Sequence, residues 1–159
     1  MRFILVDQIL ELDPGVRVKA IKRIATDEDY FADHFPGFPV VPGVLLTEMM
    51  GQAAAKCLVV ENPERGLPML AQIKSASFRD WVRPGQVVTL DAEVRSSREQ
   101  FATVACRATV DGKQVSSAEL LFSFVPASQF APDYRDEVLH SFLEGKSPEA
   151  TTEEKPAGD

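Results

Sequence analysis

Residues 16–25 set Val16, Val18 and Ala20 on one side of an extended chain and Arg17 and Lys19 on the other. That two-residue period predicts a half-buried strand, entered from the turn signal Asp13-Pro14-Gly15. Residues 31–43 hold three prolines and two glycines, which exclude helix and regular strand. From Val44 to Val60 the chain is apolar on nearly every face, interrupted by Thr47, Glu48, Gln52 and Lys56. It follows Pro42-Gly43 and contains Ala53-Ala54-Ala55, so a helix is predicted, and an all-round apolar helix belongs in a core. Residues 69–79 read as a less regular strand. Three alternating runs follow: Val88 to Val94, Ala102 to Val110 and Ala118 to Phe124. Arg83-Pro84-Gly85 and Asp111-Gly112-Lys113 mark turns, the second suited to a tight hairpin. The predicted order is strand, irregular loop, long helix and four antiparallel strands. A curved antiparallel sheet wrapped around one central helix, an α+β fold, satisfies it with short connections.

Beyond Pro126 the pattern changes. Phe130, Tyr134, Val138, Phe142 and Leu143 recur at near-helical spacing, with Gly145 as a stop. The expected organisation is a domain over 1–125, a helical extension over 126–145 and a disordered acidic tail over 146–159. The net charge of -7 is concentrated there: residues 126–159 carry 8 acids and 3 bases. An acidic chain without a basic stripe is a poor nucleic-acid binder. No run of about 18 apolar residues is free of charge, which argues against a spanning helix. Asp7 comes too early for a signal peptide. Cys57 and Cys106 lie in apolar segments without metal-ligand spacing, as core residues in a reducing, cytoplasmic setting would.

Two residues stand out for chemistry. Glu48 is the acid within the apolar helix, and a carboxyl group expected to be buried needs a partner or a role. Burial favours the protonated form, which suits a proton donor. His34 opens the Pro/Gly-rich segment, and Pro42-Gly43 starts the helix with unpaired N–H groups at its positive end. A base, an acid and oxyanion donors around one helix start are what proton abstraction beside a carbonyl requires. Each also has a plainer reading. His34 fits a hydrogen-bonded loop histidine, Glu48 an acid favoured by the helix dipole, and Gly37 and Gly43 simple turns. Gln52, one turn after Glu48, suits either orientation of the carboxyl group or the bridging of two polar atoms. Met49 and Met50 suit core packing.

The run His34-Phe35-Pro36-Gly37-Phe38-Pro39-Val40-Val41-Pro42-Gly43-Val44-Leu45-Leu46-Thr47-Glu48-Met49-Met50-Gly51-Gln52 resembles the signature of the 3-hydroxyacyl-[acyl-carrier-protein] dehydratases of type II fatty acid synthesis. It is similar to the histidine/glutamate form rather than the isomerising form with aspartate at the helical position. Weaker similarity runs through Leu5-Val6-Asp7, Phe78-Arg79, Arg83-Pro84-Gly85 and Ala108 to Gly112, covering roughly residues 3 to 125. The resemblance implies a hot-dog fold. It also implies homodimers, often assembled as trimers of dimers, with the histidine of one subunit facing the glutamate of the other. His34 would then remove the α-proton of a 3-hydroxyacyl thioester and Glu48 would protonate or position the departing hydroxyl. The Gly43 N–H would hold the thioester oxygen, the Val40 carbonyl would orient the imidazole, and Gln52 would bond the carboxyl group. No metal or organic cofactor is implied.

The implied partner is an acyl carrier protein bearing a phosphopantetheine-linked acyl chain, with no nucleic acid and no membrane involved. Carriers are acidic, so docking on this acidic chain requires a local basic patch, for which Lys74, Arg79 and Arg83 are the candidates. The His-Arg-Tyr-Pro-like segment usual in the family ahead of the Phe3–Asp7 stretch is nearly absent here, and Phe38 is a bulky residue at a variable position. Both features suggest an altered substrate range in a specialised lipid or polyketide pathway. A hot-dog acyl thioesterase and a non-catalytic carrier-binding subunit are the alternatives. A thioesterase does not need His34, and the signature is unbroken.

Overall fold

The computed structural model describes residues 1–129 and 133–145, apart from the side chain of Ala127. Its elements are β1 (Gln8–Asp13), β2 (Arg17–Arg23), α1 (Gly43–Glu61), β3 (Leu67–Phe78), β4 (Val87–Ser97), β5 (Phe101–Val110), β6 (Lys113–Val125) and α2 (Glu137–Leu143). The strands form one antiparallel sheet in the order β1-β2-β4-β5-β6-β3. α1 packs against β2, β3, β4, β5 and β6, so the sheet curls round it as a hot-dog fold does.

The alternation along β4, β5 and β6 puts Val88, Leu90, Val104, Leu120 and Phe122 on the concave face, where all are buried. They meet Leu46, Met49, Met50, Ala53, Ala54, Cys57 and Leu58 of α1. The β5–β6 turn has positive φ at Asp111 (50°) and Gly112 (77°), the backbone of a tight hairpin whose twist matches its strands. Gly15 closes the β1–β2 hairpin at φ 71°, and its N–H donates to the Cys57 carbonyl at 3.2 Å, seating the hairpin on the C-terminal half of α1.

Four expectations need correction. β1 was not foreseen: a bulge between Ile9 and Glu11 breaks its alternation and leaves Leu10 exposed beside buried Ile9. Among the described residues the extension is not one continuous helix: it holds a 3-10 turn over Ala127–Gln129 and then α2, which starts where Asp136 accepts from the Leu139 N–H at 3.0 Å. Tyr134 precedes that helix, and Gly145 follows it with φ 69°. Phe130 and the tail over 146–159 lie outside the described residues. α1 is not buried on every side, because Val44 is 74% exposed and Glu48 and Gln52 are half-buried. The buried polar residues on it are instead Thr47 and Lys56. Finally, α1 is long and apolar enough to cross a membrane by length and composition, despite its charges, but the sheet is wrapped around it.

β3 forms one edge of the sheet and, among the described residues, is paired on one side only, to β6. Two register shifts explain its irregular pattern. Met69, Leu70, Ile73 and Phe78 lie exposed along it, although an edge this long and apolar is normally covered.

Candidate active site

The loop that carries His34 is held by its backbone. A single 3-10 turn over Asp29–Ala32 leads into it, and the His34 N–H donates to the Tyr30 carbonyl at 2.9 Å. The Val40 N–H donates back to the His34 carbonyl at 3.0 Å. Within that closure Phe35 and Phe38 exchange bonds of 3.0 and 2.9 Å around Gly37, whose φ is 75°. The Val41 N–H reaches the Val82 carbonyl at 2.8 Å and fixes the loop to the segment after β3. The prolines thus remove regular structure while local bonds replace it.

His34 Nδ1 lies 3.2 Å from the Val40 carbonyl. A carbonyl oxygen only accepts, so this bond puts the proton on Nδ1 and leaves a lone pair on Nε2 of the neutral ring. The ring is half-buried and stacked on Phe35 with centroids 4.0 Å apart. Such an imidazole is oriented to accept a proton at Nε2.

Gly43 opens α1, where helix geometry leaves the first N–H groups without intrahelical acceptors. A Cβ placed on Gly43 would sit 3.0 Å from the ring of Phe78, so the close approach of that ring leaves little room for a side chain. One turn further on is Glu48. Gln52 Nε2 donates to Glu48 Oε1 at 3.1 Å and to the Phe3 carbonyl at 3.1 Å, while its Oε1 accepts from the Leu5 N–H at 2.9 Å. Gln52 therefore ties the N-terminal segment and the carboxyl group to one point on α1. Glu48 and Gln52 open into a cavity of about 540 Å³, walled also by Phe3, by Met69 and Leu70 of β3, and by Tyr134.

A family model described as a FabA-like domain matches residues 1–119. The chain belongs to this family. The FabA-like domain is 44% identical over 128 residues to the 3-hydroxyacyl-[acyl-carrier-protein] dehydratase FabZ of Thermus thermophilus, covering 79% of this chain and 89% of that protein. It is 38% identical over 126 residues to the dehydratase of the same name from Ruminiclostridium cellulolyticum, again 79% of this chain and 89% of the relative. Among solved structures it is similar to the E. coli PaaI protein from the phenylacetic acid degradation operon, with a TM-score of 0.61, 14% identity, and coverage of 74% of this chain and 78% of that one. The dehydratase heterocomplex ApeI:P from Xenorhabdus doucetiae gives a TM-score of 0.57 at 18% identity, covering 71% and 92%. At such identities these two structures speak for the fold.

Within one protomer the FabA-like domain brings its candidate residues together as two separate groups. His34 and Val40 form one, and Glu48 and Gln52 the other. Among the described residues no hydrogen bond joins the groups, and His34 is not part of the cavity wall that holds Glu48. Lys74 and Arg79 are exposed on and just after β3 and are in no ion pair among the described residues. Arg83 is half-buried, its guanidinium 4.4 Å over the ring of Phe38, which in turn meets Trp81 edge-on at 4.9 Å.

Several contributors were not visible in the sequence. Phe78 packs on Gly43 although 35 positions separate them. Phe3 and Leu5 act through backbone atoms, which carry no residue signal. Lys56 looked like a polar interruption, yet its ammonium meets Asp136 at 2.5 Å across 80 residues.

Proposed function

We propose that this protein dehydrates (3R)-3-hydroxyacyl chains on acyl carrier protein to trans-2-enoyl chains, with His34 and Glu48 as its catalytic pair. The observation that carries this is the His34 Nδ1 bond to the Val40 carbonyl in a FabA-like domain, because it leaves Nε2 free to act as base. Nε2 takes the α-proton and the C–H electron pair moves toward the thioester carbonyl, whose oxygen accepts a hydrogen bond from the Gly43 N–H. The enolate electron pair then returns to form the Cα–Cβ double bond as the β-carbon–oxygen bond breaks. The hydroxyl leaves as water with a proton from the carboxyl group of Glu48 of the partner subunit. The proton held by His34 is released to solvent while Glu48 takes one up. The oxyanion donor and the helix dipole stabilise charge where it develops, on a thioester that already acidifies its α-proton.

Two features of the protomer support a homodimer. His34 and Glu48 stand in separate groups, and β3 offers an apolar edge with unpaired backbone beside the open face of α1. A two-fold pairing along β3 covers that edge and completes both sites at once. Trimers of such dimers are the larger assembly in this reading, and the cytoplasm is its location. Lys74, Arg79 and Arg83 are its carrier contacts.

Incubation with crotonyl carrier tests the function. Reversible hydration to the 3-hydroxybutyryl carrier is expected. Release of free crotonic acid would mark a thioesterase instead, and an unchanged carrier would refute catalysis.

A further inference from the structure

The cavity that holds Glu48 does not end in solvent on every side. Its far wall includes Tyr134, Arg135 and Asp136, which lie ahead of α2 and outside the 1–119 span of the family match. The same three residues, together with Ala55, Pro68 and Met69, also line a second cavity of about 450 Å³. That second space is bounded mainly by apolar groups, among them Val59, Leu67, Leu139 and Leu143. Tyr134 to Asp136 is thus the part of their shared boundary that comes from the extension, and it separates the cavity holding Glu48 from a more apolar neighbour.

The partition is fastened. Lys56, only 6% exposed, meets Asp136 Oδ2 at 2.5 Å, and Asp136 Oδ1 accepts from the Leu139 N–H at 3.0 Å. Leu139 is itself buried in the core, and α2 lies against β1. Because the ion pair is closed on itself, it presents no unpaired charge to either cavity. Along α1 the eight residues from Glu48 to Lys56 span about 12 Å, so the wall stands roughly that far from the carboxyl group. That is the reach of a medium-length extended acyl chain.

We infer that the Tyr134–Asp136 segment sets the acyl chain length this site takes, stopping the chain at the wall and denying it the second cavity. The inference rests on the dehydratase reading above. Tyr134 is the specificity-determining side chain, since Arg135 and Asp136 are engaged in ion pairs. The span of the family match excludes the wall, so the limit is a property of this chain rather than of the domain it shares.

Tyr134 is 59% exposed, so replacing it leaves the core alone. The test compares the unmodified full chain with Tyr134→Ala and Tyr134→Trp on 3-hydroxybutyryl, 3-hydroxydecanoyl and 3-hydroxypalmitoyl carriers. Thermal melts of each protein check the fold. Tyr134→Ala should raise kcat/KM for the palmitoyl substrate relative to the butyryl one by about tenfold, the scale on which an apolar pocket discriminates by a methylene or two. Tyr134→Trp should leave that ratio unchanged or lower it. An active enzyme whose ratio is the same in all three proteins overturns the partition. Should the unmodified protein dehydrate none of these substrates, it is the function reading that fails, and calorimetric affinity for S-alkyl pantetheine thioethers of matching lengths then decides the partition. A gain confined to the long thioether in Tyr134→Ala supports it, and equal affinities in the three proteins overturn it.

Discussion

Gln52 offers a perturbation whose size and pH dependence both follow from its contacts. Gln52→Leu keeps much of the side-chain volume and removes the acceptor of the Leu5 N–H, at a residue that is only 3% exposed. An orphaned buried donor costs about 1–3 kcal/mol. The Phe3 carbonyl and the Glu48 carboxylate lie where water reaches them, so their loss of the amide adds little. In a domain of this size that corresponds to a fall in Tm of roughly 2–10 °C, at any pH. Gln52→Glu differs. It still accepts from Leu5, but it sets a second carboxyl group about 3 Å from the first, where the amide now donates at 3.1 Å. Two charges at that distance repel by about 5 kcal/mol at an effective dielectric of 20, and by about 1.3 kcal/mol in bulk water. For half-exposed groups about 1.5–3 kcal/mol is the working range, or one to two pK units.

The sign is determined by which state holds the proton. In the folded variant the introduced carboxyl stays protonated to a higher pH than it does in the unfolded chain. Folded protein then binds more protons, and stability falls as pH rises through that window. Gln52→Glu should therefore approach the unmodified protein near pH 4.5 and diverge from it toward pH 8, while the Gln52→Leu deficit stays flat. Urea unfolding followed by circular dichroism across that range, at one fixed protein concentration, measures both. A Gln52→Glu deficit that is flat, or that grows toward acid, would refute the placement of the two side chains.

His34→Ala and Glu48→Gln should each lower turnover of a 3-hydroxyacyl carrier by about two to four orders of magnitude without changing the melt. Mixing the two inactive variants, with subunit exchange demonstrated by mass spectrometry, should restore activity through heterodimers that hold one site with both native residues. No recovery would count against a site shared between subunits. Reversing Arg79 and Arg83 to Glu should raise KM for carrier-bound substrate, less so in high salt, and leave a small pantetheine thioester unaffected; equal losses on both substrates would assign the arginines to the fold. Burial pushes the Cys57 thiol up to about 11 and the Cys106 thiol up to about 12, so iodoacetamide at pH 8 should label neither in the native protein and both in urea.

How far the sequence could be read depended on what each residue faces. β4, β5 and β6 were plain because one side of each is in the core: Val88, Leu90 and Val104 are fully buried, and their neighbours along the strand are not. β1 escaped because a bulge inverts its alternation. α1 was correctly read as the apolar element the sheet encloses, but composition does not separate a face covered by the chain itself from one left for another chain. Val44 at 74% exposure and Ile73 at 50% are as apolar as anything in the core. The signature spacing put Gln52 one turn after Glu48, and the two side chains are bonded. Lys56 was opaque for the opposite reason, since its partner Asp136 comes from an extension that shares no pattern with the domain.

The two groups of site residues are built in different ways, and the difference bears on assembly. His34 is aimed by carbonyls of its own loop, those of Tyr30 and Val40, and the loop is pinned at Val41 to Val82. Glu48 is aimed by a side chain, Gln52, which is itself held at both ends by backbone atoms of Phe3 and Leu5. Every one of these orienting contacts comes from the same chain as the residue it aims. Each group therefore has its geometry within one chain, and in the dimer proposed above association along β3 has only to bring the two groups into register. It follows that damage to an orienting contact and damage to the β3 edge are separable faults. On the proposed pairing, the first should lower turnover while size-exclusion chromatography still shows a dimer. The second should give a monomer whose melt is unchanged but whose turnover is lost.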